Sequence, residues 1–297
     1  MNSGLTLRLR GGLGNQLFQY AAARSLALRN QSSFQIDSSS GFQGDSYGRN
    51  YELDAFNVVE QSCQVVNNYS VASKARWQYL RLREHLRMKY YGHYFDPLIY
   101  NLRIGGCFPF DFYCQSYRYF LDIENLIRQE FTFRTVPVAT GELWLAAISE
   151  TNSVCLHARR THGHTANGLA SKSVASYYGA CELAYYLRAL ATLVQCHGAL
   201  QVFMFSDDLK WAREHAEKLS SQDVEVRVVG EKDSLRSFYL MTQCKHFVIA
   251  NSTYSWWAAW LGTHSYKTVC APSIWNQREL RVPQDLFPNS WEIIDAR

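Results

Sequence analysis

Phe247-Val248-Ile249-Ala250 is a short, wholly apolar run, the mark of a strand buried on both faces of a sheet. It breaks into Asn251-Ser252-Thr253. The chain then continues without a charge through Tyr254-Ser255-Trp256-Trp257-Ala258-Ala259-Trp260-Leu261, which reads as a helix. A buried strand that turns at once into a helix belongs to a parallel sheet, because parallel neighbours need a crossover and the crossover is usually helical. The same unit recurs. Strand Val154–His157 precedes a polar loop and a long helix ending at His197, with Gly198 as its stop. Strand Gln201–Phe205 leads through Ser206-Asp207-Asp208 into a helix to Leu219. Strand Val224–Val229 precedes a helix over Leu235–Cys244, and a last strand, Thr268–Ala271, gives way to an irregular tail.

The front of the chain repeats the theme. Strand Leu5–Leu9 ends at Gly11-Gly12-Leu13-Gly14, a helix with Asn15 as its expected cap carries Leu17, Phe18, Ala21, Ala22 and Leu28, and Phe34–Asp37 reads as the next strand. Residues 38–50 read as a loop. The aromatic stretch Gly92–Tyr119, broken by Pro and Gly, yields no clear elements, and Asp122 is the expected cap of a short helix to about Phe131. The fold class is therefore α/β with parallel sheets. Pro137 and Gly141 interrupt the rhythm, which places a boundary within Val136–Ser153 and divides the chain into domains 1–145 and 146–297.

Composition narrows the function classes. A net charge of +4 over 297 residues permits a local basic cleft but not a nucleic-acid-binding surface. The eight cysteines show no metal or redox spacing and read as reduced thiols, which suits the cytoplasm. The chain enters its first strand without the apolar core of a signal peptide, and no apolar run nears the roughly 20 residues of a membrane span. The segment 71–90 is helical in pattern and basic, with Lys74, Arg76, Arg81, Arg83, Arg87 and Lys89 against a single Glu84. Its plainer reading is a solvated helix whose Trp77, Leu80, Leu82 and Leu86 pack on the body; the other is peripheral contact with an anionic membrane.

His157-Ala158-Arg159-Arg160-Thr161-His162 leaves a strand at the carboxyl edge, where open α/β sheets bind ligands. Two adjacent guanidiniums there can grip a diphosphate in a way that lysine does not reproduce. A solvated surface pair is the alternative. His157, His162 and His164 lie among permanent cations without a carboxylate or thiolate beside them, so no metal site is expected. Asp207 or Asp208 either caps a helix or holds a base, a ribose or an arginine. Gly12, Gly14 and Asn15 offer backbone to a phosphate, but lack the lysine of a nucleotide-binding loop of the Walker kind. Asn251, Ser252, Thr253 and Ser255 present hydroxyls and N–H groups at a helix start, which suits an anion.

The ordered set Gly11-Gly12-Leu13-Gly14-Asn15-Gln16-Leu17-Phe18-Gln19-Tyr20-Ala21, His157-x-Arg159-Arg160, Phe205-Ser206-Asp207-Asp208 with Trp211, and Asn251 to Leu261 resembles the bacterial α-1,2-fucosyltransferase family. The resemblance implies two Rossmann-like domains facing a cleft (the GT-B architecture), with the acceptor on the N-terminal domain and GDP-β-L-fucose on the C-terminal one. It implies inverting transfer to the 2-hydroxyl of a terminal galactose, with no metal or cofactor. Arg160 and Arg159 would meet the diphosphate, and Gly12, Gly14, Asn15, His157, Ser206, Asp207, Asp208, Asn251, Ser252, Thr253 and Ser255 would line the donor. Asp37, His162 and His164 are the candidate bases. In two places the chain departs from the family pattern. Thr161-His162 replaces the usual Gly-Asp, and Ser237 stands where an acidic residue is common, with Asp233 nearby as a substitute. Those changes leave two other readings open: a silent sugar-nucleotide or carbohydrate binder, and a GDP-fucose transferase of different linkage.

Overall fold

The computed structural model describes residues 4–59, 69–137, 142–161, 179–277 and 283–297. The chain forms two compact units, Met1–Thr135 with Glu279–Pro288, and Val136–Arg278 with Asn289–Arg297. No single cut separates them, because the second unit is interrupted near its end by a segment that belongs to the first.

In the first unit, β1 (Gly4–Arg8), β2 (Ser33–Asp37) and β3 (Cys107–Phe110) form a parallel sheet in the order β2-β1-β3. β3 lies in the aromatic stretch that the pattern left unassigned. It is only four residues long, carries Pro109 in its middle and has no alternation to betray it; at the edge of the described sheet a proline is tolerated. Helices α1 (Leu13–Arg29), α2 (Val71–Tyr91), α3 (Pro97–Tyr100) and α4 (Glu124–Glu130) complete the unit.

Two expected caps fall elsewhere. Gly12, not Asn15, is the N-cap of α1, and Asn15 sits inside the helix. Asp122 sits in a one-turn 3-10 helix before α4, whose cap position is Ile123. Its carboxylate is drawn instead to Ser25 and Arg29 of α1, at 3.0 and 3.2 Å.

The second unit holds a parallel sheet of six strands in the order β6-β5-β4-β7-β8-β9. They are β4 (Ser153–Ala158), β5 (Leu200–Ser206), β6 (Val224–Val228), β7 (His246–Val248), β8 (Val269–Pro272) and β9 (Glu292–Ile294). The tail is thus not irregular throughout, since β9 extends the sheet beyond β8. Helices α5 (Glu142–Glu150), α6 (Leu183–His197), α7 (Leu209–Leu219), α8 (Ser234–Gln243) and α9 (Thr253–Leu261) accompany it. β4 is buried along its whole length, as an apolar strand in a doubly covered sheet must be. α9 has no charged face because almost none of it meets water: Trp256 and Trp257 are fully buried. Truncating either to Ala would cost about 3–5 kcal/mol.

Counted within the unit, the strand order is third-second-first-fourth-fifth-sixth, so the winding reverses between β4 and β7. At that reversal the connections diverge and leave a crevice outside the carboxyl ends of both strands. In the first unit the reversal lies between β1 and β3.

Candidate active site

At the reversal of the second sheet, β4 delivers Arg159, Arg160 and Thr161, β5 delivers Ser206, Asp207 and Asp208, and β7 leads into Asn251 and α9. Asp207 organises this edge. Its carboxylate pairs with Arg159 at 3.0 Å, accepts the backbone N–H groups of Arg160 and Thr161 at 2.7 and 3.0 Å, and accepts the Thr161 hydroxyl. Burial works to raise its pKa, but the Arg159 charge and these hydrogen bonds prevail and hold it below the usual carboxylate range. Thr161, one of the residues that depart from the family pattern, is therefore integrated into the edge through Asp207.

Arg160 is fixed differently. Its guanidinium donates to the Cys181 carbonyl at 2.8 Å and lies 4.3 Å over the Trp211 ring, which His215 backs in a stacked pair. A planar cation clamped by one carbonyl and one aromatic face retains its other N–H groups for an anion. His157, 5% exposed, lies within the wall, its ring 5.7 Å from that of Tyr254, and its carbonyl accepts from Tyr186 at 3.3 Å.

Several predicted donor contacts build this edge instead of extending from it. The Ser206 hydroxyl donates to the Ala158 carbonyl and accepts from Asp208 N–H, stapling β5 to β4. Asp208 caps α7 through Trp211 N–H at 2.9 Å. Asn251, 4% exposed, donates to the carbonyls of Gly179 and Trp275 and so ties three segments together. Gly179 is needed there: its φ is +63°, and a Cβ would stand 2.5 Å from Gln277. Ser255 is buried and donates back to the Ser252 carbonyl. Ser252 and Thr253 remain partly exposed at the start of α9, whose opening amides suit an anion. Asp233 caps α8, and Ser237 donates to the Glu231 carbonyl. His162 and His164 lie outside the described residues.

In the first unit the glycine loop opens α1. Gly11 has φ +81° and a Cβ there would meet Asn15 at 2.8 Å, while a Cβ on Gly12 would meet nothing; Gly14 is buried. The two glutamines that follow shape the loop. Gln16 donates to the carbonyls of Gly11 and Asn50, and Gln19 exchanges two hydrogen bonds with the Arg10 backbone. Asn15 accepts from Gln115 at 2.8 Å.

Beside the carboxyl ends of β1 to β3 lies a cavity of about 660 Å³, whose lining includes Arg8, Asp37, Tyr69, Lys74, Trp77 and Asp111. An aromatic face among charged and amide side chains is the surface a sugar needs, with apolar C–H groups on one side and hydroxyls on the other. Asp37 closes the loop after β2, accepting the N–H and hydroxyl groups of both Ser39 and Ser40. Burial opposes the charge, yet the bonds from Ser40 and Ser39 hold its pKa below the usual range.

Asp111, buried, gathers Arg10 at 2.6 Å, Arg8 at 3.3 Å and Arg81 at 3.4 Å. Glu84 lies behind it. Burial pushes that carboxyl up to about 7, against bonds from the Cys114 and Tyr113 N–H groups and the Arg10 charge. Of these five residues the sequence marked only Arg81 and Glu84, and those as members of the basic helix and not of a cluster. The one available signal was an acid directly after a strand, and it appears only once β3 is known.

The model of Glycosyl transferase family 11 matches residues 3–295. The chain belongs to that family. It is 27% identical over 292 residues to the alpha-1,2-colitosyltransferase of Escherichia coli, covering 97% of this chain and 98% of that protein. With the galactoside 2-alpha-L-fucosyltransferase of Caenorhabditis elegans it shares 23% identity over 306 residues, covering 97% of this chain and 78% of the relative. Among solved structures, NodZ alpha-1,6-fucosyltransferase soaked with GDP-fucose superposes with a TM-score of 0.52 at 17% identity, covering 88% of this chain and 93% of that one. The likeness is one of fold, the GT-B class. Relatives of this family 11 chain are thus colitosyl- and fucosyltransferases of α-1,2 linkage.

Proposed function

We propose that the chain transfers L-fucose from GDP-β-L-fucose to the 2-hydroxyl of a terminal β-galactoside, with inversion. The supporting observation is the pair Arg159 and Arg160 at the sheet reversal beside the start of α9, one guanidinium set by Asp207 and the other by Trp211 and Cys181. In the reaction the acceptor oxygen bonds to C1 of fucose as the bond from C1 to the β-phosphate oxygen breaks. GDP leaves with the electron pair, and the hydroxyl proton passes to a base or to water. Charge builds on the phosphate while the sugar becomes oxocarbenium-like, so preorganised cations lower that barrier.

Arg160 and Arg159 carry the leaving group, Ser252 and Thr253 offer hydroxyls and amides to phosphate, and His157, Asp207, Asp208, Ser206, Asn251 and Ser255 shape the edge. Gly12 at the cap of α1, with Gly14 and Asn15 in its first turn, offers backbone to a phosphate. The first unit supplies the acceptor cavity and the second the GDP-fucose site. Asp37, with its lowered pKa, is a weak base, and a loose transition state demands no stronger one; His162 and His164 are the alternatives. None of these roles calls for a metal, and among the described residues no group of acids, thiols and imidazoles could hold one. The thiols suit a reducing cytoplasm, and no helix among the described residues is long and apolar enough to cross a membrane.

A second donor has a specific reason behind it: the E. coli relative is named for colitose, the 3-deoxy analogue of L-fucose. Purified protein incubated with EDTA, lactose and either GDP-fucose or GDP-colitose decides both points. Fucosylated lactose with the new linkage at O2 is the expected product. Transfer of colitose alone would reassign the donor, a different linkage would reassign the acceptor hydroxyl, and GDP binding without transfer or hydrolysis would make the chain a silent binder.

A further inference from the structure

The expectation for α2 was an inner face of Trp77, Leu80, Leu82 and Leu86, and the helix is built otherwise. Leu80 and Glu84 are buried and Trp77 is half-buried, whereas Leu82 and Leu86 are 59% and 39% exposed. They belong to a second stripe on the opposite side. Val71, Ala75, Tyr79, Leu82, Leu86 and Tyr90 recur at helical spacing down one outward line, and Val71 and Tyr79 are 85% and 56% exposed. The stripe runs the length of a 21-residue helix, about 31 Å.

The cations divide in the same way. Arg81 is drawn to Asp111, and Arg83 and Arg87 to Asp96, so three of the six serve the interior. Lys74 borders the cavity, while Arg76, which also donates to the Arg103 carbonyl at 3.2 Å, and Lys89 flank the outer stripe; the helix has no acid there, its single carboxylate being the buried Glu84.

We infer that the outer face of α2 docks on an anionic lipid bilayer, its apolar stripe at the level of the acyl boundary and Arg76 and Lys89 among the headgroups. An amphipathic helix with large apolar side chains along one line and cations at its flanks lies in a membrane interface in this manner. Charge argues against a second copy of the chain as the occupant, because pairing the stripe with itself would set cations against cations with no acid to answer them. Nucleic acid would answer the cations but leave the apolar line uncovered.

The measurement is co-sedimentation of the full chain with phosphatidylcholine vesicles, with and without phosphatidylglycerol. Binding only to the anionic vesicles is expected. Since each cation near the surface contributes about fivefold in partition coefficient, Arg76→Glu with Lys89→Glu should lower binding by about 25-fold or more. Leu82→Ser with Leu86→Ser should lower it by about tenfold. Both pairs should keep the wild-type Tm and transfer to soluble lactose, since they touch neither site. Equal binding to neutral vesicles, no binding, or binding unchanged by both pairs overturns the inference. So does a dimer, detected by light scattering without lipid, that Leu82→Ser with Leu86→Ser converts to monomer.

Discussion

The carboxyl edges of the two sheets both pair arginines with an aspartate, and they do so by opposite means. At the second sheet Asp207 answers residues that are neighbours in sequence, Arg159 through Thr161, and three of its four bonds fix backbone or a hydroxyl. Among the described residues no acid pairs with Arg160. At the first sheet Asp111 gathers Arg8 and Arg10 from the end of β1 and Arg81 from α2, seventy residues away in the chain, and is itself buried. One edge holds its loop in place and keeps a cation available for a ligand. The other gathers three guanidiniums on one buried acid, with a cavity beside them. The two clusters differ in what each guanidinium faces: Arg160 meets a carbonyl and a ring, whereas Arg8, Arg10 and Arg81 share one carboxylate.

The largest expected effect tests that contrast directly. Arg160→Ala should lower kcat for fucosyl transfer by roughly 10³-fold or more, by analogy with arginines that neutralise a leaving phosphate; near-normal turnover would break the comparison. Asp111→Asn should act on folding instead. Removing it strands three guanidiniums, at a cost of about 2–3 kcal/mol, below the 3–5 of a fully buried pair because Arg8 and Arg81 are more than a third exposed. A Tm unchanged from wild type would show the cluster to be dispensable. Smaller again, Trp77→Ala should raise the KM for the galactoside about tenfold, the worth of one aromatic–sugar contact, with the KM for GDP-fucose unmoved. If the donor KM moves and the acceptor KM does not, the cavity is not the acceptor's.

The two units should also differ in sign with pH. Glu84 in the first unit has its pKa raised from 4.5 to about 7, so within that window the folded chain keeps a proton that the unfolded chain releases. Its stability contribution falls as pH rises through the window. His246, at the amino end of β7, is lowered from 6.5 to about 4 by burial and by the charges of His197, His264 and Lys245. Its ring stacks on His197 at 3.9 Å and accepts from Thr268 N–H at 3.1 Å. Here the unfolded chain binds the proton first, and stability is lost as pH falls from 6.5 towards 4. Melting curves across that range should flatten on the alkaline side in Glu84→Gln and on the acid side in His246→Asn. A pH profile identical to wild type in either variant removes that group from the account.

The sequence determined the parallel α/β class, because buried strands ending in polar turns leave no other economical arrangement, and every strand that alternated cleanly with a helix is present within one or two residues. It also determined which residues lie at the carboxyl edge of the second sheet, since position after a strand is a local property. The division of labour among them was not local. Asn251 and Ser206 read as ligand groups but are consumed by carbonyls of distant segments, and whether a polar group reaches outward depends on which acceptors the fold brings near. The strands β3 and β9 lacked a signal because four residues around a proline, and three at a sheet edge, carry no period to read. Only the tertiary structure decided that α2 turns Glu84 inward and Leu82 outward. Both faces of that helix contain apolar residues, so composition could not choose between them; the N–H groups of Tyr113 and of the buried Cys114, which need an acceptor, did.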